Sequence, residues 1–195
     1  PIRKLTGEYG FTQTFFTDAR VPADTLMGKE GEGWKIAMLT LTFERGASGG
    51  QAGGLSMMAL GVNAVLELAR RSRRDGRPAL EHPSVRDRMV DFLIEAQGDR
   101  LCEARAQVPA LCNERPDAIP LSNKLRVTEH RRRLFQFAVS LQGANGARYV
   151  GDAAAIDRGL WQRSYFNAFS ATIGGGTSQI QANIIGERVL GLPKD

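Results

Sequence analysis

Cysteine, histidine and aromatic residues are scarce in this sequence, and no long apolar run interrupts it. The cysteines number two, Cys102 and Cys112, and both fall in one predicted helix. Ten residues of helix separate two Cα atoms by about 15 Å, beyond disulfide reach, so the pair fits a reducing cytoplasm. The histidines, His82 and His130, have no company with ligand-like spacing, which argues against a metal site. No apolar run approaches the length that crosses a bilayer, and no signal peptide opens the chain. Zinc-finger spacing, aromatic RNA-binding motifs and a basic leucine zipper are all missing, so the basic balance does not point to nucleic acid.

What is present is an ordinary globular mixture: 195 residues, 42% apolar and 24% charged, with a net charge of +5. That charge suits an anionic partner such as a phosphate-rich cofactor. The chain opens at Pro1 within a strand-like stretch, and we expect sequence upstream of it.

Two β-like stretches come first, Pro1 to Leu5 and Tyr9 to Thr17. Pro22 holds Val21 extended, and Gly28 to Gly33 is a polar turn. Everything after Trp34 reads as helix. The first helix is expected from Gly33 through Glu44 and the Gly/Ala-rich stretch Ala47 to Gly54, as far as about Arg74, where Asp75-Gly76-Arg77-Pro78 stops it. A second is expected from Pro83 to Cys112, with Val85, Met89, Phe92, Ala96, Ala104 and Val108 on one face. A third runs from Leu121 to Gln142, with Leu125, Leu134, Ala138 and Leu141 inward, and Gly143 to Gly146 breaks it. A shorter helix spans Leu160 to Ala171, and a last one Thr177 to Val189. Long helices with short connections predict a mainly α fold, an up-and-down bundle preceded by a short β segment. The expected division is residues 1–30, strands and linker, and 31–195, helical bundle.

Two motifs resemble one family. Phe15-Phe16-Thr17-Asp18-Ala19-Arg20-Val21-Pro22 followed by Gly31-Glu32-Gly33-Trp34 is similar to the end of the β-domain of acyl-CoA dehydrogenases. Gly174-Gly175-Gly176-Thr177-Ser178-Gln179-Ile180-Gln181, then Ile184-Ile185 and Glu187-Arg188-Val189-Leu190-Gly191, resembles that family's C-terminal signature. The resemblance covers essentially the whole chain. It implies an FAD enzyme that takes the α-hydrogen of an acyl-CoA thioester as a proton and passes the β-hydrogen to flavin as a hydride. The product is a trans-2-enoyl-CoA, and electrons leave through an electron-transfer flavoprotein. It also implies a homo-oligomer, a dimer or tetramer, and an upstream portion that supplies other flavin contacts, so this stretch alone carries only part of the site.

Glu44 follows the apolar run Leu39 to Phe43 and precedes Arg45. By residue type it is either half of a surface ion pair or a carboxylate whose pKa burial raises toward that of a general base. The resemblance implies the second, because isovaleryl-CoA dehydrogenase and similar enzymes carry their catalytic Glu on this helix directly before an Arg. Thr42, Phe43 and Arg45 would then line the acyl-CoA site. Most family members place the base where this chain has Gly175, which cannot take a proton. Its N–H can still hold the thioester carbonyl, and Gly176 admits the thioester closely. Thr177 reads as a helix N-cap; the resemblance adds Thr177, Ser178 and Gln179 as FAD contacts. Gly143 and Ala144 read either as a helix terminus with a left-handed glycine or, by resemblance, as a contact to a neighbouring subunit's FAD.

The chain departs from the family at Ser72, Asp75 and Pro83, where an Arg, a Phe and a Gln usually serve the cross-subunit flavin, and at Ser140, another usual Gln. Arg70, Arg71, Arg73 and Arg74 read as a solvated basic face. A non-catalytic partner subunit or assembly module of a heteromeric dehydrogenase is the alternative function. An oxidase or hydroxylase of the same flavin class is a third.

Overall fold

The structure, a computed structural model, describes residues 1–47, 60–112 and 118–194, and for residues 42–47 the backbone alone. The chain forms two compact units, Pro1–Met58 and Ala59–Asp195.

In the first unit, β1 (Ile2–Arg3) pairs antiparallel with β2 (Tyr9–Phe11), Ile2 opposite Phe11. A turn closes them through Gly7 N–H to Lys4 O at 2.9 Å. The expected strand to Thr17 stops at Phe11; no strand among the described residues pairs with 12–17, and an unpaired stretch has no ladder to keep it extended. Helix α1 covers Gly33–Ala47. The turn before it requires glycine: Gly28 has φ +77°, and a Cβ there would lie 2.6 Å from Ile36 Cδ1.

The second unit is mainly α. Its helices are α2 (Val62–Arg71), α3 (Pro83–Ala106), α4 (Ala118–Ser140), α5 (Leu160–Ile173) and α6 (Ser178–Ile184). Helix α4 is central and packs against α2, α3, α5 and α6. The core follows the apolar spacing of the sequence. Val65, Leu68 and Ala69 come from α2, Val85, Met89 and Phe92 from α3, Leu134, Phe135 and Ala138 from α4, and Trp161 and Ala168 from α5. Burying a side chain such as Phe92 or Leu134 stabilises the fold by about 1.5–3 kcal/mol each.

Several boundaries differ from expectation. Helix α2 ends at Arg71, not Arg74. Arg73 and Arg74 instead pair with Pro78 and Arg77 as strands β3 (Arg73–Arg74) and β4 (Arg77–Pro78). Asp75 and Gly76, both at positive φ, make the two-residue turn between them. Residues 48–54 of the expected Gly/Ala-rich helix lie outside the described residues. Helix α3 stops at Ala106 and the chain turns through a 3₁₀ segment, Pro109–Leu111, because Pro109 cannot donate to a continuing helix. Cys112 therefore lies beyond the helix that holds Cys102, and both thiols are free. Ala104 and Val108, expected inward, are exposed. Helix α4 begins three residues earlier than expected, with Pro120 inside its first turn, where no N–H is needed. The last helix is α-helical to Ile184 and continues as a π turn, Ile185–Val189.

Charged groups cross-link the bundle. Arg133 on α4 donates two hydrogen bonds to Glu95 on α3, each 2.8 Å. Buried His130 Nδ1 lies 2.7 Å from the same carboxylate. The corner before α5 is held by Asp157, which accepts from both terminal nitrogens of Arg71 and from Trp161 Nε1. Burial pushes the Asp157 pKa up, but the bonds from Arg71 and Trp161 outweigh it and leave the carboxyl below its ordinary value. Asp157, Arg158 and Gly159 are all left-handed, at φ 49°, 56° and 77°. No helix among the described residues is long and apolar enough to cross a membrane.

Candidate active site

The Gly174–Gly176 loop ends α5 and opens α6. Gly174 closes α5 by donating its N–H to Ser170 O at 2.8 Å. Gly175 and Gly176 follow at φ +68° and +102°, which L side chains rarely adopt. Thr177 is the N-cap the sequence implied: its Oγ1 accepts from Ile180 N–H at 3.3 Å.

Three side chains hold this loop. Gln181 Nε2 donates to Gly175 O at 2.9 Å. Lys124 Nζ, from α4, donates to Gly176 O. Ser178 Oγ donates to Glu129 Oε1, also on α4, at 2.6 Å. That hydrogen bond, with Arg132 adding to it against the effect of burial, keeps the Glu129 carboxyl below its ordinary pKa. The carboxylate is thus a fixed acceptor at neutral pH. Among the described residues, none accepts from the N–H of Gly175 or Gly176. Gln179, next in sequence, is exposed. Lys124, Glu129 and Gln181 were not singled out from sequence. Gln181 was quoted in the signature motif, but nothing in the spacing marks Lys124 or Glu129 as partners of a loop some fifty residues away.

A second locus lies at the end of α4. Gly143 has φ +55° and open space around a built Cβ, and Ala144 is exposed. The following 3₁₀ segment, Gly143–Ala147, is fixed by a buried amide pair: Gln162 Nε2 donates to Gln142 Oε1 at 3.0 Å and to Gly146 O at 3.1 Å. Gln142 is therefore a core residue. An open cleft of about 370 Å³ lies beside this segment, lined by Arg71, Ser72, Arg73, Gln142 and Asn145 among others. The basic run is exposed, as a solvated face is, with Arg71 paired to Asp157 and Arg70 to Glu67.

Thr42, Phe43, Glu44 and Arg45 lie in α1, within the first unit, and their side chains lie outside the described residues. Among the described residues, no three His, Cys, Asp or Glu side chains gather as a metal site.

Residues 31–190 match the family model for the acyl-CoA dehydrogenase C-terminal domain. The chain belongs to that family. It is 36% identical over 195 residues to the acyl-CoA dehydrogenase IpdE1 of Mycolicibacterium smegmatis, covering 100% of this chain and 46% of the relative. To IpdE1 of Mycobacterium tuberculosis it is 37% identical over 196 residues, covering 100% of this chain and 47% of the relative. The chain thus spans about half the length of these curated relatives. The solved structure of the Tcur3481-Tcur3483 steroid ACAD superposes with a TM-score of 0.74 at 23% identity, over 100% of this chain and 48% of its own, a likeness of fold.

Proposed function

We propose that the protein carrying this chain is an FAD-dependent acyl-CoA dehydrogenase that converts an acyl-CoA thioester to a trans-2-enoyl-CoA, with Glu44 as the base. Family membership supports the reaction class. The observation that carries the reading is the Gly174–Gly176 loop. It has two left-handed glycines and anchored carbonyls, and the N–H groups of Gly175 and Gly176 meet no described acceptor. Such a loop suits an oxygen that gains negative charge during reaction.

In this reading the Gly175 N–H donates to the thioester carbonyl oxygen and stabilises the developing enolate, which acidifies the α-carbon. Glu44 accepts the α-proton. Gly176 stands beside the thioester by the family resemblance, the space of its missing Cβ being taken by Gln181 Nε2 at 2.8 Å, while Thr42, Phe43 and Arg45 line the acyl-CoA. FAD, when bound, supplies the acceptor for the β-hydrogen, which leaves as a hydride. Two local features support a place for that cofactor, one at the start of α6 and one, toward a neighbouring subunit's FAD, at the end of α4. Gln179 is exposed at the start of α6, Ser178 retains acceptor capacity beside Glu129, Thr177 fixes the local backbone, and Gly143 and Ala144 are open at the end of α4.

Phe15 and Phe16 are 78% and 82% exposed, which suits a first unit that continues an upstream β-domain. We therefore assign residues 1–30 to the end of that domain and 31–195 to the helical one. An electron-transfer flavoprotein as acceptor, a homo-oligomer and a cytoplasmic site complete the proposal. The test is anaerobic mixing of the full-length flavoprotein with an acyl-CoA panel. Bleaching of the oxidised flavin band is expected with at least one member; no bleaching with any rejects the reading.

A second reading is favoured by two features. Gly175 stands where most relatives carry the base, and Ser72 and Pro83 replace cross-subunit flavin contacts. A non-catalytic subunit paired with a different dehydrogenase chain accounts for both. Co-purification with such a chain, and flavin present only in the pair, is the outcome that selects it.

A further inference from the structure

The anchors of the glycine loop attach to carbonyl oxygens. Gln181 Nε2 donates to Gly175 O at 2.9 Å, and Lys124 Nζ donates to Gly176 O. A trans peptide is planar, so its N–H points opposite its carbonyl. Fixing Gly175 O against Gln181 therefore sends the Gly176 N–H the other way. Fixing Gly176 O against Lys124 sets the next peptide plane. Glycine at φ +68° and +102° has no steric preference of its own for these values. Without the anchors, both peptides can flip at little cost. The loop's N–H display is therefore imposed by two side chains, one of them 52 residues away on α4.

The anchors also polarise. A donor on a carbonyl strengthens the N–H of the same peptide, here those of Gly176 and Thr177, by about 10–30% per bond in condensed phase, and Lys124 brings a positive charge. The fit at Gly176 is close: a Cβ there would lie 2.8 Å from Gln181 Nε2, so a side chain at 176 displaces the anchor. Ser178 Oγ bound to Glu129 at 2.6 Å ties the far side of the loop to the same helix, a turn beyond Lys124.

We infer that Gln181 and Lys124 are positioning residues: they orient and polarise the peptides that carry the Gly176 and Thr177 N–H groups, and by fixing the backbone on the C-terminal side of Gly175 they hold its N–H, the donor of the proposed function, against the thioester carbonyl of the acyl-CoA. This rests on the reading that the loop holds that carbonyl. Neither residue touches the reacting atoms. Their effect reaches the Gly175 N–H through the Gly175 backbone that Gln181 fixes and through the charge of Lys124 beside it.

The test uses the full-length flavoprotein and butyryl-CoA carrying ¹³C at the thioester carbonyl. In the wild type, the bound carbonyl resonance is expected downfield of its free-solution value, the sign of a hydrogen bond to the oxygen. In Gln181→Met and Lys124→Met the downfield shift falls by half or more. Flavin reduction slows about ten- to a hundredfold, less than the ~10²–10³ seen when a direct oxyanion donor is removed. FAD content and butyryl-CoA affinity stay within about threefold of wild type, a pattern that a general structural role does not give. Lys124→Arg, which keeps charge and donor, restores most of the shift. If Lys124→Met does not fold, Gln181→Met decides, because Gln181 fixes Gly175 O and with it the backbone that carries the Gly175 N–H. A wild-type shift that persists unchanged in Gln181→Met and Lys124→Met overturns this inference and leaves the loop reading intact. A wild-type carbonyl at its free-solution position under saturating butyryl-CoA overturns the loop reading and this inference with it.

Discussion

Glu95 and Arg133 form a two-bonded ion pair between α3 and α4, both N–O distances 2.8 Å. The hydrogen bonds from Arg133 hold the Glu95 carboxyl down, from its ordinary 4.5 to about 2; burial opposes this and His130 adds to it. A carboxylate with a depressed folded-state pKa contributes stability that is fully present above about pH 4.5. That stability is lost as pH falls toward 2. We expect Glu95→Gln to lower the thermal midpoint at pH 7 and to flatten its fall between pH 4.5 and 2. Melting curves across that range check both. Equal acid sensitivity in wild type and variant would sink the assignment.

Glu44→Gln in the full-length protein is expected to abolish flavin reduction by acyl-CoA while leaving acyl-CoA binding nearly unchanged. Gln keeps the size of Glu but cannot accept the α-proton. General-base loss costs about 10²- to 10⁴-fold, and here the base starts the reaction, so the upper end is expected. Anaerobic stopped-flow with a substrate that reduces the wild type is the measurement. A rate within a few-fold of wild type makes Glu44 only a partner of Arg45.

Gly175→Glu in a Glu44→Gly background is expected to fold and to recover part of the lost reduction. A Cβ at Gly175 meets only Lys124 Cε, at 3.9 Å, so space is available. The left-handed φ of +68° sets a penalty of roughly 1–2 kcal/mol. The nearby ammonium of Lys124 favours the charged carboxylate and so weakens it as a base. Recovery is therefore expected to be incomplete, read as reduction rate against the Glu44→Gly single variant.

Gly159→Ala is expected to destabilise the helical unit strongly, by more than about 2 kcal/mol. A Cβ there would fall 2.5 Å from Val150 N, at a backbone φ of +77°. Thr177→Ala should cost about 1 kcal/mol through the lost cap, and Thr177→Ser should cost little. Denaturant titration of each variant separates the two magnitudes.

The sequence by itself determined much of the inward face of the helices and where two of them begin. Val85, Met89 and Phe92, and Leu134 and Ala138, recur at helical spacing and are buried. Pro83 and Thr177 marked helix starts because missing or spare N–H groups are local properties. The glycine triplet signalled a special backbone, since glycine adopts positive φ angles without the steric cost that other residues carry. The end of α2 was misjudged because a Gly-containing two-residue turn lets Arg73 and Arg74 pair as strand, which a charge run does not advertise. Only tertiary structure decided the partners. Lys124 meets Gly176, Gln142 meets Gln162, Glu95 meets Arg133 and Arg71 meets Asp157 across 52, 20, 38 and 86 residues of chain. Periodicity fixes the face a side chain occupies on its own helix. Which polar groups then meet depends on how the helices pack in three dimensions, and hydrogen bonds are satisfied only there.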